Sequence, residues 1–144
     1  MPNSTCLPNP FTVAYDPTTS RLCGHWPASV DDSLLRAHYA DLLTAACAHG
    51  GCRFWLLDMR GRNWHSPEFG RWFSTVFTAA AHAALHQPLF IAYVLSPAHH
   101  AVANTPGVQA TQSGSSTHDV YPFFFDSAAA AREWLAHQQA LDLG

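Results

Sequence analysis

The chain has 144 residues, of which 48% are hydrophobic and 12% are charged, and its formal net charge is −3 at pH 7. This length fits one domain with ample core material, and the small negative charge argues against nucleic acid or an anionic membrane as the main partner. No stretch is apolar for long enough to cross a bilayer, and residues 1–10 lack the features of a secretory signal. The sequence therefore predicts a cytoplasmic α/β domain over residues 11–144 without membrane insertion, preceded by a flexible lead-in at 1–10.

Two short segments near the N-terminus predict an antiparallel hairpin. Residues 11–15 alternate between apolar and polar side chains, and residues 20–26 are typical of the returning strand. Between them, Asp16 and Pro17 open a turn, because proline presets φ and aspartate can bond to the backbone two residues further on. The sheet is therefore expected to begin with two antiparallel strands.

A first helix is predicted from the capping-box spacing of Ser29 and Asp32 to about Ala48. Gly50 and Gly51 supply the left-handed backbone that ends it. Its buried face is expected to hold four residues at helical spacing: Leu35, Tyr39, Leu42 and Ala46.

The stretch RFWLLDMR, which begins at Arg53, predicts the central strand of the sheet. Four consecutive bulky apolar residues without alternation suit a strand that is buried on both faces. Residues 89–95, LFIAYVL, have the same character. Residues 53–58 and 89–95 are therefore expected as the interior strands of a mixed sheet, linked by a right-handed helical crossover.

A serine–proline pair follows each of these two strands. Ser66 is expected to cap a second helix with Pro67 at its first position, where a missing N–H costs nothing. Ser96 is expected to open a short helix that runs to about Ala103. The second helix is expected to bury an apolar stripe of Phe69, Phe73, Val76 and Ala80, widened by Trp72 and Phe77.

The last third of the chain combines a long polar stretch with a final strand and helix. Residues 104–119 are rich in Gly, Ser, Thr and Gln, which indicates a functional or disordered loop. Residues 123–125 are predicted as the last strand, with Pro122 at a sheet edge or just outside the ladder. Asp126 or Ser127 is expected to cap the final helix. The inward face of that helix is predicted to hold Ala131, Trp134 and Leu135.

The predicted order of elements is ββαβαβα. This order, with the hairpin, the WLLDMR strand and the ending FFFDSAAAAREWL, resembles STAS domains, the fold of anti-sigma-factor antagonists. The closest pattern is that of the SpoIIAA-like variants, which are related to CRAL-TRIO lipid-binding folds. The resemblance spans residues 11–140. It implies a single mixed sheet with covering helices, and a non-enzymatic regulatory function through binding to another protein.

The turn after residues 53–58 is the expected site, because open α/β sheets form their sites outside the carboxyl ends of strands. In STAS antagonists a strand-end aspartate, here matched by Asp58, precedes an Asp-Ser-Ser-Gly turn that carries a phosphorylated serine. This chain lacks that turn, and the phosphoacceptor position falls on Pro67 or Glu68, so Ser66 is expected to be an ordinary N-cap. The predicted binding residues are Asp58, Arg60, Arg62, Trp64, His65, Ser66 and Glu68.

Arginine and tryptophan give this turn the chemistry of a recognition surface. Arg60, Arg62 and Arg71 surround a helix N-terminus, where guanidinium groups can hold an anion. The sequence favours pairing of these arginines with Asp58 or Glu68 over an anion site. Trp64 stands in a polar turn, as interface anchors often do. The sequence therefore predicts that the turn binds an unknown protein partner, and it leaves open whether the chain forms a homodimer.

Two other functions also stay open. A small apolar molecule or lipid would bind in a pocket under the 104–119 loop. That hypothesis is motivated by a set of aromatic residues: Trp26, Trp64, Trp72, Tyr121 and Phe123. An enzyme would use His118 or Asp119 from the same loop. The chain has no G-x-S-x-G elbow, so neither catalysis nor a cofactor is predicted.

Ten histidines and four cysteines raise the question of a metal or redox site. His82 and His86 share a helix face, and His99, His100 and the pair at 118–119 are further candidates. The sequence nevertheless lacks HExxH and the cysteine–histidine spacing of zinc sites. The cysteines show no CxxC spacing, which is typical of reduced thiols. No metal is therefore predicted.

Overall fold

A computed structural model describes residues 11–62, 66–99 and 119–143 of the chain. The strands among them are β1 (Thr12–Asp16), β2 (Arg21–His25), β3 (Phe54–Asp58), β4 (Leu89–Val94) and β5 (Val120–Phe125). They form a five-stranded sheet in the order β1-β2-β3-β4-β5. The strands β1 and β2 are antiparallel, and the remaining pairs are parallel. The predicted class, an antiparallel hairpin followed by parallel strands, is confirmed.

The two apolar runs form interior strands, as predicted. Phe54 and Trp55 on β3 are buried, and so are Ile91 and Ala92 on β4. Because neighbouring residues on each strand point to opposite faces of the sheet, this burial requires cover on both faces.

The helices provide that cover. They are α1 (Asp32–Ala48), α2 (Pro67–Trp72), a π-helical turn (Phe73–Phe77), α3 (Thr78–Leu85) and α4 (Ala128–Leu143). The larger part of the core lies between one face of the sheet and α1 with α2 and α3, while α4 covers β3, β4 and β5 on the other face. Residues 97–99 begin a further helical turn, in which Ser96 Oγ accepts from the His99 amide at 3.3 Å. The expected continuation to Ala103 lies outside the described residues.

The first helix has the predicted end and buried face, but a different cap. Asp31, not Ser29, is the N-cap residue, and its carboxylate accepts from the Leu34 amide at 2.8 Å. The predicted capping box is wrong because the helix begins at Asp32, so Ser29 lies too early to reach the free amides of the first turn. His38 joins the predicted residues on the buried face.

The helical segment from Pro67 to Leu85 buries Phe69, Phe73 and Phe77 as predicted, but not the rest of the predicted stripe. Val76 is 54% exposed and Ala80 is also exposed, whereas Phe77 and Ala81 are buried. The cause is the π-helical turn, which adds a residue per turn and shifts every later position by one. Hydroxyls accompany this change, since Thr75 Oγ1 donates to the carbonyl of the residue four positions earlier at 2.7 Å.

The last strand begins at Val120, three residues before the predicted start at 123, and contains Pro122. The carbonyls of Asp119 and Phe125 accept from backbone amides at the two ends of β4. Since alternate residues of a strand bond to the same neighbour, Pro122 faces away from β4. Its missing N–H therefore costs no ladder bond, and the predicted edge position of Pro122 is confirmed.

The final helix packs as predicted. Ser127 Oγ accepts from the Ala130 amide at 3.1 Å, so Ser127 is the cap of the two proposed. Ala131 and Leu135 are fully buried, and Trp134 packs against the same cluster. An ion pair between Arg53 Nη2 and Asp142 Oδ2, at 2.7 Å, attaches the far end of the helix to the sheet.

Candidate functional site

The turn between β3 and α2 leaves the sheet at the carboxyl end of β3. The Asp58 carbonyl accepts from the Trp26 amide at 3.0 Å, and the Met59 amide donates to the Val94 carbonyl at 3.0 Å. The chain at the start of the turn is thus bonded to the segments that end both neighbouring strands. These bonds fix the position of the backbone from which the turn starts.

Asp58 and Arg60 form a bidentate ion pair at this edge. Arg60 Nη2 lies 2.7 Å from Asp58 Oδ2, its Nε lies 3.0 Å from Oδ1, and its backbone amide also donates to Oδ1 at 3.1 Å. Burial raises the pKa of Asp58, but the hydrogen bonds from Arg60 outweigh it, so the pKa lies below its ordinary value. The Arg60 side chain is 52% exposed. The pair therefore holds a guanidinium in one orientation at the surface.

Arg62, only two residues further on, lies in the core instead. It is 2% exposed, and its guanidinium carbon lies 4.5 Å from the centroid of the Trp26 ring. Its Nη2 also approaches the sulfur of Met59 at 3.6 Å. The predicted pairing with carboxylates is thus confirmed for Arg60 and Arg71. The guanidinium group of Arg62 instead lies over the indole ring of Trp26.

Gly61 lies between these two arginines and touches the backbone that follows β2. A Cβ at Gly61 would lie 2.6 Å from the Pro27 carbonyl oxygen and 2.8 Å from the Trp26 carbonyl oxygen. No side chain fits there without movement of the backbone. The turn is thus pressed against residues 26–27.

A buried histidine completes the surroundings of Trp26. Trp26 Nε1 donates to His38 Nδ1 at 2.8 Å, and both side chains are fully buried. Phe11 stacks on both rings, with centroids 4.5 Å from Trp26 and 4.4 Å from His38. We call Phe11, Trp26, His38 and Arg62 the indole cluster. Burial lowers the pKa of His38 below its ordinary value, since an imidazolium would lose its hydration.

A second buried polar contact lies between α1 and β4. The hydroxyls of Tyr39 and Tyr93 are 2.5 Å apart, and burial raises the pKa of both phenols. Both therefore remain protonated at neutral pH. Sequence reasoning placed Tyr39 on the buried face but missed His38, although residue 38 lies on that same face at helical spacing.

The turn ends at Ser66, which has two partners. Its Oγ accepts from the Phe69 amide at 3.0 Å and donates to Asp32 Oδ2 at 2.5 Å. Ser66 is therefore the N-cap, as predicted, and it also ties the start of α2 to the start of α1. Glu68 is exposed, and its Oε2 lies 3.7 Å from Arg71 Nη2. The predicted site residues Trp64 and His65 lie outside the described residues.

The aromatic residues proposed for a ligand pocket, apart from Trp64, which lies outside the described residues, are divided between the two faces of the sheet. Trp26 is fully buried in the larger core, and Trp72 packs beside it on the same face of the sheet. Phe123 is 48% exposed and lies against Trp134 on the opposite face. The loop at 104–118 lies outside the described residues. Asp119 accepts from the hydroxyl of Tyr121 at 3.0 Å.

An open cleft of about 370 Å³ lies at the other end of β3. Tyr15 and His49 stack along it, with ring centroids 4.2 Å apart, and Gly50 and Gly51 form part of its wall. None of the predicted site residues that the structure describes lines this cleft.

Within 11–62, 66–99 and 119–143, no three His, Cys, Asp or Glu side chains are grouped so that they could hold a metal ion. Cys23, Cys47 and Cys52 are free thiols, and burial raises the pKa of Cys23 and Cys52. Among the helices described, none is both long and apolar enough to cross a bilayer.

Comparisons with known proteins give no family for this chain. No protein-family model, curated protein or solved structure matches it. The STAS resemblance therefore stays a prediction from the sequence.

Proposed function

We propose that the protein is a non-enzymatic regulatory domain, STAS-like, that binds another protein through residues 58–68 and the start of α2. The observation that carries this proposal is that the turn is anchored at both ends while Arg60 stays exposed. Asp58 and Arg62 anchor its first part, and Ser66 anchors its last. Because these two ends are fixed before binding, their ordering costs no further conformational entropy when a partner docks.

The chemistry around the turn suits a protein partner. Arg60, Glu68 and Arg71 display charges of both signs, and Val76 adds an exposed apolar side chain further along the same helical segment. Interfaces commonly combine a polar rim with arginine and apolar contacts. The proposal also places the protein in the cytoplasm, where free thiols such as Cys47 persist.

The proposal is tested by capture from native lysate on the immobilised full chain. We expect Arg60→Glu to lose most of the captured partner, because the new carboxylate faces Asp58 and reverses the surface charge. Arg132→Glu on α4 is the matched control, since Arg132 is also exposed but lies far along the chain. Circular dichroism of both variants checks that they fold. Equal retention of the partner by both variants would contradict the proposal.

A ligand pocket remains the second candidate. Phe123 favours it, because this large apolar ring is 48% exposed on the strand that directly follows the 104–119 loop. Native mass spectrometry of the protein purified without denaturation would detect a retained small molecule or lipid. If Phe123→Ser no longer retains the bound molecule and Arg60→Glu still does, the result supports ligand binding in the pocket rather than partner binding through the turn.

A further inference from the structure

The protonation state of His38 follows from its partner. An indole N–H can only donate, so Nδ1 of His38 must offer its lone pair to Trp26 at 2.8 Å. The imidazole is therefore neutral, with its proton on Nε2. A proton added at Nδ1 would place two N–H groups against each other inside the core, and one of the two rings would have to move.

The charges around His38 also bear on proton uptake. Burial lowers the pKa of His38 most, the nearby Arg62 guanidinium lowers it further, and Asp41 on the same helix raises it in part. The β2 side and the residue before β1 contribute the uncharged rings of Trp26 and Phe11. An imidazolium in this place would thus be a second cation beside Arg62 in the indole cluster.

Trp26 connects His38 to the turn through three contacts. Its backbone amide donates to the Asp58 carbonyl, its carbonyl lies against Gly61, and its ring contacts the guanidinium of Arg62. Asp58, Gly61 and Arg62 span the first half of the turn. A displacement of the indole therefore cannot leave the turn unchanged, since interiors are close-packed.

We propose that His38 and Trp26 form an acid-sensitive switch, in which proton uptake by His38 displaces the indole and loosens the turn at residues 58–62. The effect on partner binding rests on the proposed function, whereas the coupling between His38 and the turn does not. Folding lowers the pKa of His38, so the folded state binds the proton more weakly than the unfolded state does. His38 therefore contributes its full share of folding stability above its ordinary pKa of about 6.5. That contribution is lost as the pH falls below this value and through the lower pKa of the folded state.

The switch is tested by NMR on the ¹⁵N-labelled full chain between about pH 7.5 and 4.5, a range that brackets histidine titration. The ring nitrogens of His38 report its protonation, and amide exchange reports the turn. We expect His38 to be neutral with its proton on Nε2 at the upper pH. As His38 titrates, protection of the Arg60 and Arg62 amides, which donate to Asp58 Oδ1 and the Met59 carbonyl, should fall by about tenfold, after correction for the intrinsic exchange rate.

Two variants sharpen the test. His38→Asn keeps an acceptor for the indole N–H but cannot titrate, so its turn should keep constant protection across the pH range. His137→Asn, which removes an exposed histidine on α4, should behave like the wild type. If His38→Asn does not fold, the wild-type titration decides alone, because it compares His38 with the turn in one molecule.

Constant protection of the turn while His38 titrates would overturn the switch, and so would an imidazolium at the upper pH. Partner capture at about pH 5.5, where histidine gains its proton, separates the switch from the proposed function. Loss of the partner by the wild type but not by His38→Asn supports both. If the wild type retains the partner fully although the turn has lost protection, the proposed function of the turn is contradicted, whereas its coupling to His38 is supported.

Discussion

The two turns that flank β3 are built in opposite ways. The entry turn, residues 49–53, relies on Gly50 and Gly51, whose φ angles of +75° and +78° suit glycine. A Cβ on Gly50 would meet nothing within 4 Å. The exit turn, residues 59–66, contains Gly61, where a Cβ would meet a backbone carbonyl at 2.6 Å. The entry turn is thus set by local backbone conformation, and the first part of the exit turn, residues 59–62, by contacts with residues 26–27.

This difference shows which turn is coupled to Trp26 and His38. The entry turn opens on a cleft, and its Cys52 joins the core, where the Cys52 carbonyl accepts from Trp55 Nε1 at 2.9 Å. The exit turn shares Trp26 with α1 and β2, so a change at Trp26 or His38 reaches it directly. A recognition surface built on the exit turn can therefore respond to the state of His38.

Removal of Trp26 should give the largest effect. Trp26→Ala is expected to lower the free energy of unfolding by about 3–5 kcal/mol, because it empties a fully buried site. Amide exchange under native conditions should show a loss of protection in the exit turn well beyond that in the entry turn. Equal loss in both turns would mean that Trp26 has no special connection to the exit turn.

Substitution of the glycines separates crowding from conformation. Gly61→Ala and Gly61→Asn should each lower the free energy of unfolding by about 1–3 kcal/mol, since any side chain overpacks the contact with Pro27. At Gly50, alanine should cost about 1–2 kcal/mol through its positive φ, and asparagine less, because it tolerates that conformation. Urea melts of the four variants measure these values. A neutral Gly61→Ala would show that the turn is not pressed against residues 26–27.

The two arginines of the exit turn should differ by a smaller amount. Arg62→Ala is expected to cost about 2 kcal/mol, since it removes a desolvated cation–π contact. Arg60→Ala should cost under about 1 kcal/mol, as an exposed ion pair does. Parallel urea melts compare them directly. Equal losses would contradict the assignment of one arginine to the core and the other to the surface.

Features that depend on neighbouring residues could be predicted from the sequence. The hairpin turn is one, since Asp16 Oδ1 accepts from the Thr18 amide at 2.9 Å as its side-chain chemistry predicts. The Ser66 cap and the interior strands β3 and β4 follow equally from local patterns. Each of these signals lies within a few residues of its effect.

Features that depend on distant contacts could not be predicted. The burial of Arg62 requires Trp26, which lies 36 positions earlier and reaches it only through the register of β2 and β3. The partnership of Trp26 with His38 has the same origin. The π-helical turn shows a third limit, because one extra residue in a helical turn moved Val76 from the predicted core to solvent.

Trp64 decides most directly whether the exit turn is a recognition surface. The sequence predicts that this side chain is exposed, so Trp64→Ala should change the free energy of unfolding by no more than about 0.5 kcal/mol and still weaken partner capture. Denaturant melts of the variant and the wild type measure the first quantity whatever the partner is. A loss of about 3–5 kcal/mol would instead place Trp64 in the core and contradict the proposed role of the turn.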